Sequence, residues 1–465
     1  MSSADSRVQA LSQSECDDIV GAAFHVLESV GLCIENRRML EHMAEHGAHI
    51  DLCQQRVRFP EPLVDRFLSE MQGRSEETQA PRVTASAGIY SGFYHDPETR
   101  DFVPWTEERL ATYIALARAL PHIGSAGILG CRLDVPHQLE PLYERFYCWK
   151  YGAGEHGSIH LDELCPQIYD LYQLRADQLG VPMQRIFRGT AYLIPALKLG
   201  RHEAYQYLYF WERGLQVSLG DMHTMGATSP VTLAGSLAII LAEQLAIGMV
   251  QHAFFQDSRF GISCSLSPLD MRTLIRPYGR PEMAVANMAM TQIARRLGLP
   301  FRGHAGLTDA KVPSCESGAQ KALTAIPTLL SSGHVHIDAG LLSIDEVCSP
   351  LQLILDNEFC GAMAHICRGL SVDEETLALE LIEALGPGGH YIATNHTARH
   401  FRQELWEPSI WSRQMLGAWA EEGSRTDADR AAEVYRTLLP SLDRASQLTE
   451  EQEEQLLAFI EGGSG

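Results

Sequence analysis

The sequence predicts an α/β protein, a (β/α)8 TIM-type barrel carrying an N-terminal helical and β-hairpin appendage. Three observations lead there. From Thr106 onward, short β-favouring runs ending in Gly, Asp or His alternate with amphipathic helices, and such alternation implies a parallel sheet. About eight units of this kind fit a closed barrel better than an open doubly wound sheet. The third observation is the stretch 216–255, where a short β run is followed by a polar loop and a long apolar helix. Between Gly220 and Gly226 that loop carries Asp221, His223 and Thr224. In a barrel such loops line the C-terminal face, where active sites sit. Ser229 is expected to cap the helix, with Pro230 in its first turn, where a missing N–H costs least. The helix is apolar on nearly all sides and reads as wedged between strands and another layer. Its Glu243-Gln244 pair either caps a buried network or faces a partner.

Taken in order, residues 14–71 read as mostly helices. Ile19, Ala23, Val26, Leu27 and Val30 recur at helical spacing and stop at Gly31. A second helix begins at Met39 and a third spans 63–71, after a short extended piece at 56–60. The polar run after Met71 is a loop, and 83–104 reads as a β-hairpin around a His95-Asp96-Pro97 turn. These segments make residues 1–105 the appendage and 106–465 the barrel. The barrel strands are predicted at 127–130, 158–161, 189–194, 217–219, 261–264, 301–305, 335–338 and 391–394. Helices are predicted at 142–149, 168–179, 203–211, 233–255, 281–297, 317–330, 347–370, 373–385 and 398–405.

Composition narrows the function. Hydrophobic residues at 45% and charged residues at 21% fit a soluble globular chain of 465 residues. A net charge of −22 argues against nucleic acid or an anionic membrane surface, both of which want a basic face. The 11 cysteines are scattered, without Cys-x-x-Cys, as in a reducing compartment. With no signal-peptide pattern, a cytoplasmic location is expected, and so is a homo-oligomer.

Few stretches advertise chemistry. In His334-Val335-His336-Ile337-Asp338 strand alternation places His334, His336 and Asp338 on one face. Such a pair can hold a metal, as part of a metal-dependent barrel hydrolase or lyase. Its late position and the lack of clustered partner histidines favour a polar lumen wall or a substrate contact. The run around Thr308-Asp309-Ala310-Lys311 is either a Gly-rich turn with a satisfied Asp309 or part of a binding site. Phosphate-loop, dinucleotide and Gly-x-Ser-x-Gly patterns do not occur.

Several longer motifs resemble the trimethylamine methyltransferase (MttB) family. They include Gly386-Pro387-Gly388-Gly389-His390, Thr397, His400-Phe401-Arg402, Trp406-Glu407-Pro408 and Trp419. Thr228 to Gly235, Ala242 to Ala246, Thr308 to Lys311, Gly340-Leu341-Leu342 and Leu355 to Glu358 are similar as well, as are Leu27 to Gly31 and Val57 to Pro60. The resemblance implies a (β/α)8 barrel that moves a methyl group from a methylated amine to a cobalamin carried by a separate corrinoid protein, with no cofactor bound tightly in this chain. The family's archetypes carry pyrrolysine in the cavity, whereas this chain has only the standard twenty residues. It is therefore similar to the branch acting on quaternary amines such as glycine betaine.

In that frame Asp221 and Glu358 are expected to balance the ammonium charge, with Tyr192 or Tyr391 as aromatic wall. His223, His304 and His336 are expected to anchor a substrate carboxylate. Each also has a structural alternative: barrel packing for the tyrosines, satisfied wall positions for the histidines, an indirect place for Glu358. A non-catalytic binder of quaternary ammonium osmolytes is the remaining reading.

Overall fold

Alternation in HVHIDA gives the strand His334–Ala339 two unlike faces: Val335, Ile337 and Ala339 are buried, while His334, His336 and Asp338 are half-buried. The computed structural model describes residues 8–72, 82–130, 133–193 and 196–462. Its central strands are β1 (Arg82–Ile89), β2 (Ala126–Ile128), β3 (Gly154–Glu155), β4 (Gly189–Tyr192), β5 (Val217–Gly220), β6 (His223–Met225), β7 (Ile262–Ser263), β8 (Leu266–Pro268), β9 (Phe301–Arg302), β10 (His304–Ala305) and β11 (His334–Ala339). Their pairings are all parallel: β1 with β2, β2 with β3, β4 with β5, β6 with β8, β7 with β9, β10 with β11, and β11 with β1. A parallel bridge from Ser158 to Thr190 joins the run after β3 to β4. Counting β5–β6, β7–β8 and β9–β10 as single interrupted runs, neighbours in the chain are neighbours in space, and the last run lies against the first. A helix follows each run, from Glu107–Ala119 after β1 to Pro350–Arg368 after β11. The protein is thus mixed α/β with parallel pairing at its centre.

Two expected elements are corrected. The hairpin expected over 83–104 is shorter than that, because Arg82–Ile89 is a separate strand that pairs with β11 on one side and β2 on the other. Only Phe93–His95 and Phe102–Val103 pair antiparallel around the Asp96 turn. The small side chains of VTASAGI hid this strand, since they show neither alternation nor bulk. The strand expected at 391–394 is a turn with Ile392 87% exposed, and Thr394 caps the helix Asn395–Glu404. With β1 already between β11 and β2, no place remains for it.

Helices fare better, with smaller adjustments. The Leu233–Phe254 helix starts after Thr232, which makes no side-chain capping bond, and not at Ser229, whose hydroxyl bonds that of Ser236 at 2.6 Å. It is long and apolar enough to cross a membrane, yet most of its most apolar stretch is buried inside the protein. The helix expected at 373–385 breaks at Ala378, where φ is 50°. From Leu370 to Leu416 many apolar side chains stay exposed, among them Val372, Leu405 and Met415. Of the loop expected at 72–81, Gln72 ends the helix Glu61–Gln72 and 73–81 lies outside the described residues.

The N-terminal segment is sewn to the body. Its strand Leu32–Ile34 pairs antiparallel with Arg56–Arg58 and parallel with Lys198–Leu199. Gln13–Ser29 packs on the Leu233–Phe254 helix and ends at Gly31, φ 70°, where a Cβ would stand 2.0 Å from the Val57 carbonyl oxygen. Only glycine fits there.

A buried ion pair fixes the exit of β11. Lys321 Nζ donates to Asp356 Oδ2 at 2.9 Å, the same oxygen accepts the Gly340 amide at 2.7 Å, and Gln352 donates to Oδ1 at 2.9 Å. Both side chains are almost wholly buried. Lys321→Met strands the carboxylate and should cost about 3–5 kcal/mol in urea unfolding. Adding Asp356→Asn to it should recover much of that loss.

Candidate functional site

The polar face of β11 meets that of β1. Thr84 Oγ1 lies 3.1 Å from both His334 Nε2 and His336 Nδ1, and Ser86 Oγ is 3.2 Å from His336 Nε2. Next to them, His304 Nε2 is 2.5 Å from Asp338 Oδ2. Burial would push Asp338 up, but His304 and His336 outweigh it and hold the carboxyl well below its usual range. His304 moves the opposite way: burial disfavours its charge, and Asp338 more than restores it. Each partner thus favours the charged form of the other.

Three tyrosines share this neighbourhood. Burial raises Tyr90 and Tyr278, and each feels Asp338 and Asp345; Tyr90 also feels Tyr192. Tyr192 is raised by burial and then by Glu144. All three phenols are therefore neutral and offer π faces. Glycines make the room: a Cβ on Gly220 would meet the Tyr192 ring at 2.9 Å, and one on Gly127 would meet His156 Nε2 at 2.7 Å. His156, lowered by burial, feels Asp338, His336 and His304. Asp345 reaches the group from a strained loop, with Ser343 and Ile344 at φ 51° and 69°. A β-branched residue there is an outlier held by its surroundings, here by bonds from their amides to the Ala310 and Thr308 carbonyls.

Asp221 and His223 belong to a second, adjoining cluster. His223 Nε2 is 3.0 Å from Glu243 Oε1 and 3.5 Å from Asp221 Oδ2. Gln244 donates to both Asp221 oxygens, and the Leu197 amide donates to Glu243. Burial pushes Asp221 up to about 6, against His223. Burial also opposes charge on His223, but Glu243 and Asp221 raise it above its ordinary value. Among the described residues these three offer atoms within 4.8 Å of one another, the spacing of a metal site. Those atoms are engaged with each other and with Gln244 and Leu197, so the arrangement reads as a hydrogen-bonded triad. Cys264 is pushed up to about 12 by burial, with smaller effects from Asp221 and Arg276.

Of the expected site residues, the structure brings His304 and His336 together around Asp338, sets Tyr192 within the field of Tyr90, and joins Asp221 and His223 in a cluster with Glu243. Two expectations are corrected. Glu358 spends both oxygens on the 409–411 turn, accepting from Ser409 N and Oγ, Ile410 N and Trp411 N. Tyr391 lies in the exposed C-terminal segment, where its carbonyl accepts from Thr394 and Thr397. Of the trio in the metal reading, His334 and His336 meet the hydroxyls of Thr84 and Ser86, while Asp338 pairs with His304 and His336. The sequence missed Tyr90, His156, Arg276, Tyr278 and Asp345. Tyr90 ends the strand mistaken for a hairpin, and Arg276-Pro277-Tyr278-Gly279 looks like any turn.

Comparison with known proteins gives a consistent picture. Residues 202–462 match the family model described as trimethylamine methyltransferase (MTTB). Trimethylamine methyltransferase MttB of Desulfitobacterium hafniense is 23% identical over 452 residues, 92% of this chain and 88% of that one. Glycine betaine methyltransferase from another strain of that species is 31% identical over 252 residues, about half of each chain (54% and 52%). The crystal structure of the Methanosarcina barkeri monomethylamine methyltransferase aligns over 92% of both chains at 11% identity and a TM-score of 0.42, too loose to carry an argument.

The His304–Asp338 pair sets a pH signature. A histidine whose folded value is raised contributes stability that is complete below its ordinary value, about 6.5, and fades as pH climbs past the raised one. Asp338→Asn removes that contribution. The gap in melting temperature between wild type and Asp338→Asn should therefore be wider at pH 6 than at pH 9, measured by calorimetry.

Proposed function

The chain belongs to the trimethylamine methyltransferase family, and on that premise we propose that it takes a methyl group from a quaternary, betaine-like amine and passes it to the Co(I) corrinoid of a separate protein. We read its ring of parallel pairings as a (β/α)8 barrel with the tyrosine group at the mouth, and its location as cytoplasmic. One observation carries the proposal: the buried Tyr90 and Tyr278 both feel Asp338 and Asp345, and Tyr90 also feels Tyr192. Aromatic faces and a carboxylate are what hold a cation that has no N–H to donate. The relative named for glycine betaine supports the choice of substrate.

The chemistry asks little of this chain beyond placement. The corrinoid acceptor supplies the electron pair that takes the methyl, the C–N bond breaks towards nitrogen, and the amine leaves neutral. No side chain has to donate a proton or act as nucleophile. What the residues do is hold the ammonium, turn one methyl outward and exclude water, and alignment of this kind is worth up to about 7–11 kcal/mol. Asp338, kept ionised by two imidazoles, balances the charge, and the neutral tyrosines wall it. We retain Asp221 and His223, held with Glu243 and Gln244, as a supporting cluster for the site.

An anaerobic screen of glycine betaine, carnitine, choline and trimethylamine with free Co(I) cobalamin tests the reading; the proposal fails if none is demethylated. Tyr192→Phe should keep substrate affinity within about threefold, while Tyr192→Leu should lose about 0.5–2 kcal/mol, read as a KM change at preserved folding.

A further inference from the structure

Arg276 sits in a loop pinned on both sides. Asp270 accepts the amides of Arg272 and Thr273 at 2.8 and 3.0 Å, and Leu274 turns the chain at φ 58°. Beyond Arg276, the Ser267 hydroxyl donates to the Pro277 carbonyl, and Asp309 accepts the Tyr278 and Gly279 amides at 2.7 and 3.0 Å. The guanidinium lies 5.0 Å from the Tyr278 ring centroid. Nη1 donates to the Tyr278 hydroxyl at 3.1 Å, and Nη2 to the Ser265 carbonyl at 2.7 Å and its hydroxyl at 3.3 Å. These partners are neutral. Nε is buried and without a partner, and among the described residues no carboxylate stands at ion-pair distance from this side chain. Its charge is nevertheless felt at Cys264, His304 and Asp345, which come from three separate strand ends around the tyrosines.

A half-buried guanidinium whose direct partners are all neutral is costly to keep unless an anion arrives. Its planar edge suits a carboxylate gripped at two points. We propose that Arg276 binds the carboxylate of a zwitterionic substrate and so selects betaines over quaternary amines that lack an acid group. The proposal rests on the function given above and adds what that reading leaves open, the group that recognises the far end of the substrate. The two ends then sort by charge. The ammonium lies among Tyr90, Tyr192 and Asp338, and the carboxylate lies on Arg276, beside the phenol of Tyr278.

Calorimetric binding to the full chain without any corrinoid tests this, using glycine betaine, choline and tetramethylammonium as probes. Wild type should bind glycine betaine well above choline. Arg276→Met should weaken glycine betaine by roughly 10–100-fold, the worth of a hydrogen-bonded charge, and leave tetramethylammonium within about threefold. Arg276→Lys should restore part of the loss. Equal binding of choline and glycine betaine by wild type, or equal losses for all three probes in Arg276→Met at an unchanged melting temperature, overturns the role of Arg276 and leaves the function standing. Failure of wild type to bind any of the three overturns the function reading and this inference with it.

Discussion

The pairing of β11 with β1 is the constraint on which the rest of the site depends. Its register sets His334 opposite Arg82, His336 opposite Thr84 and Asp338 opposite Ser86. Because side chains alternate, a slip of one residue would turn the histidines and Asp338 towards the helices and bring Val335 and Ile337 inside. The hydroxyls of Thr84 and Ser86 resist such a slip, since they are already bonded to the imidazoles across the pair. The same pairing brings the first and last parallel runs together, so the closing contact of the fold and the polar floor of the site are one structure.

Electrostatically the site separates fixed charge from neutral wall. A buried carboxylate ordinarily rises in pKa, and Asp345 does so. Asp338 goes the other way because two imidazoles face it. Burial raises all three tyrosines and keeps them protonated, outweighing Arg276 at Tyr278. A cation entering this space finds an ionised carboxylate shared with two imidazoles, and neutral phenols around it. Such a surface discriminates by charge and shape, which is consistent with a substrate whose reacting end has no hydrogen to offer.

Legibility from sequence followed the strength of periodic signals. The helices at 233–255 and 281–297, and the alternating face of 334–338, announced themselves through apolar spacing and were found nearly in place. The strand Arg82–Ile89 was invisible because its residues are small on both faces, one face against β11's polar side chains and the other against helices. The 391–394 run carries β-favouring residues but no neighbour to pair with, and propensity without a partner makes no strand. Among site residues, Tyr192, His304, His336 and Asp338 were legible because they ride on strands. Arg276, Tyr278 and Asp345 come from turns, whose direction is set by contacts distant in sequence, and single-sequence reading has no access to those.

The run Thr308-Asp309-Ala310-Lys311 shows how a motif can matter without touching a ligand. Thr308 donates to Gln320, which also accepts the Asp309 amide, so the run is tied to the helix behind it. From that anchor Asp309 holds the backbone of Tyr278 and Gly279 on one side. On the other, the carbonyls of Thr308 and Ala310 hold Ile344 and Ser343 in their left-handed turn. The two loops so fixed carry Arg276 with Tyr278 and Asp345, one cation and one acid placed from opposite sides of a four-residue clamp. The satisfied Asp309 is therefore no bland turn residue: its bonds decide where the guanidinium stands, and the strain at Ile344 persists because the clamp leaves Asp345 no other course.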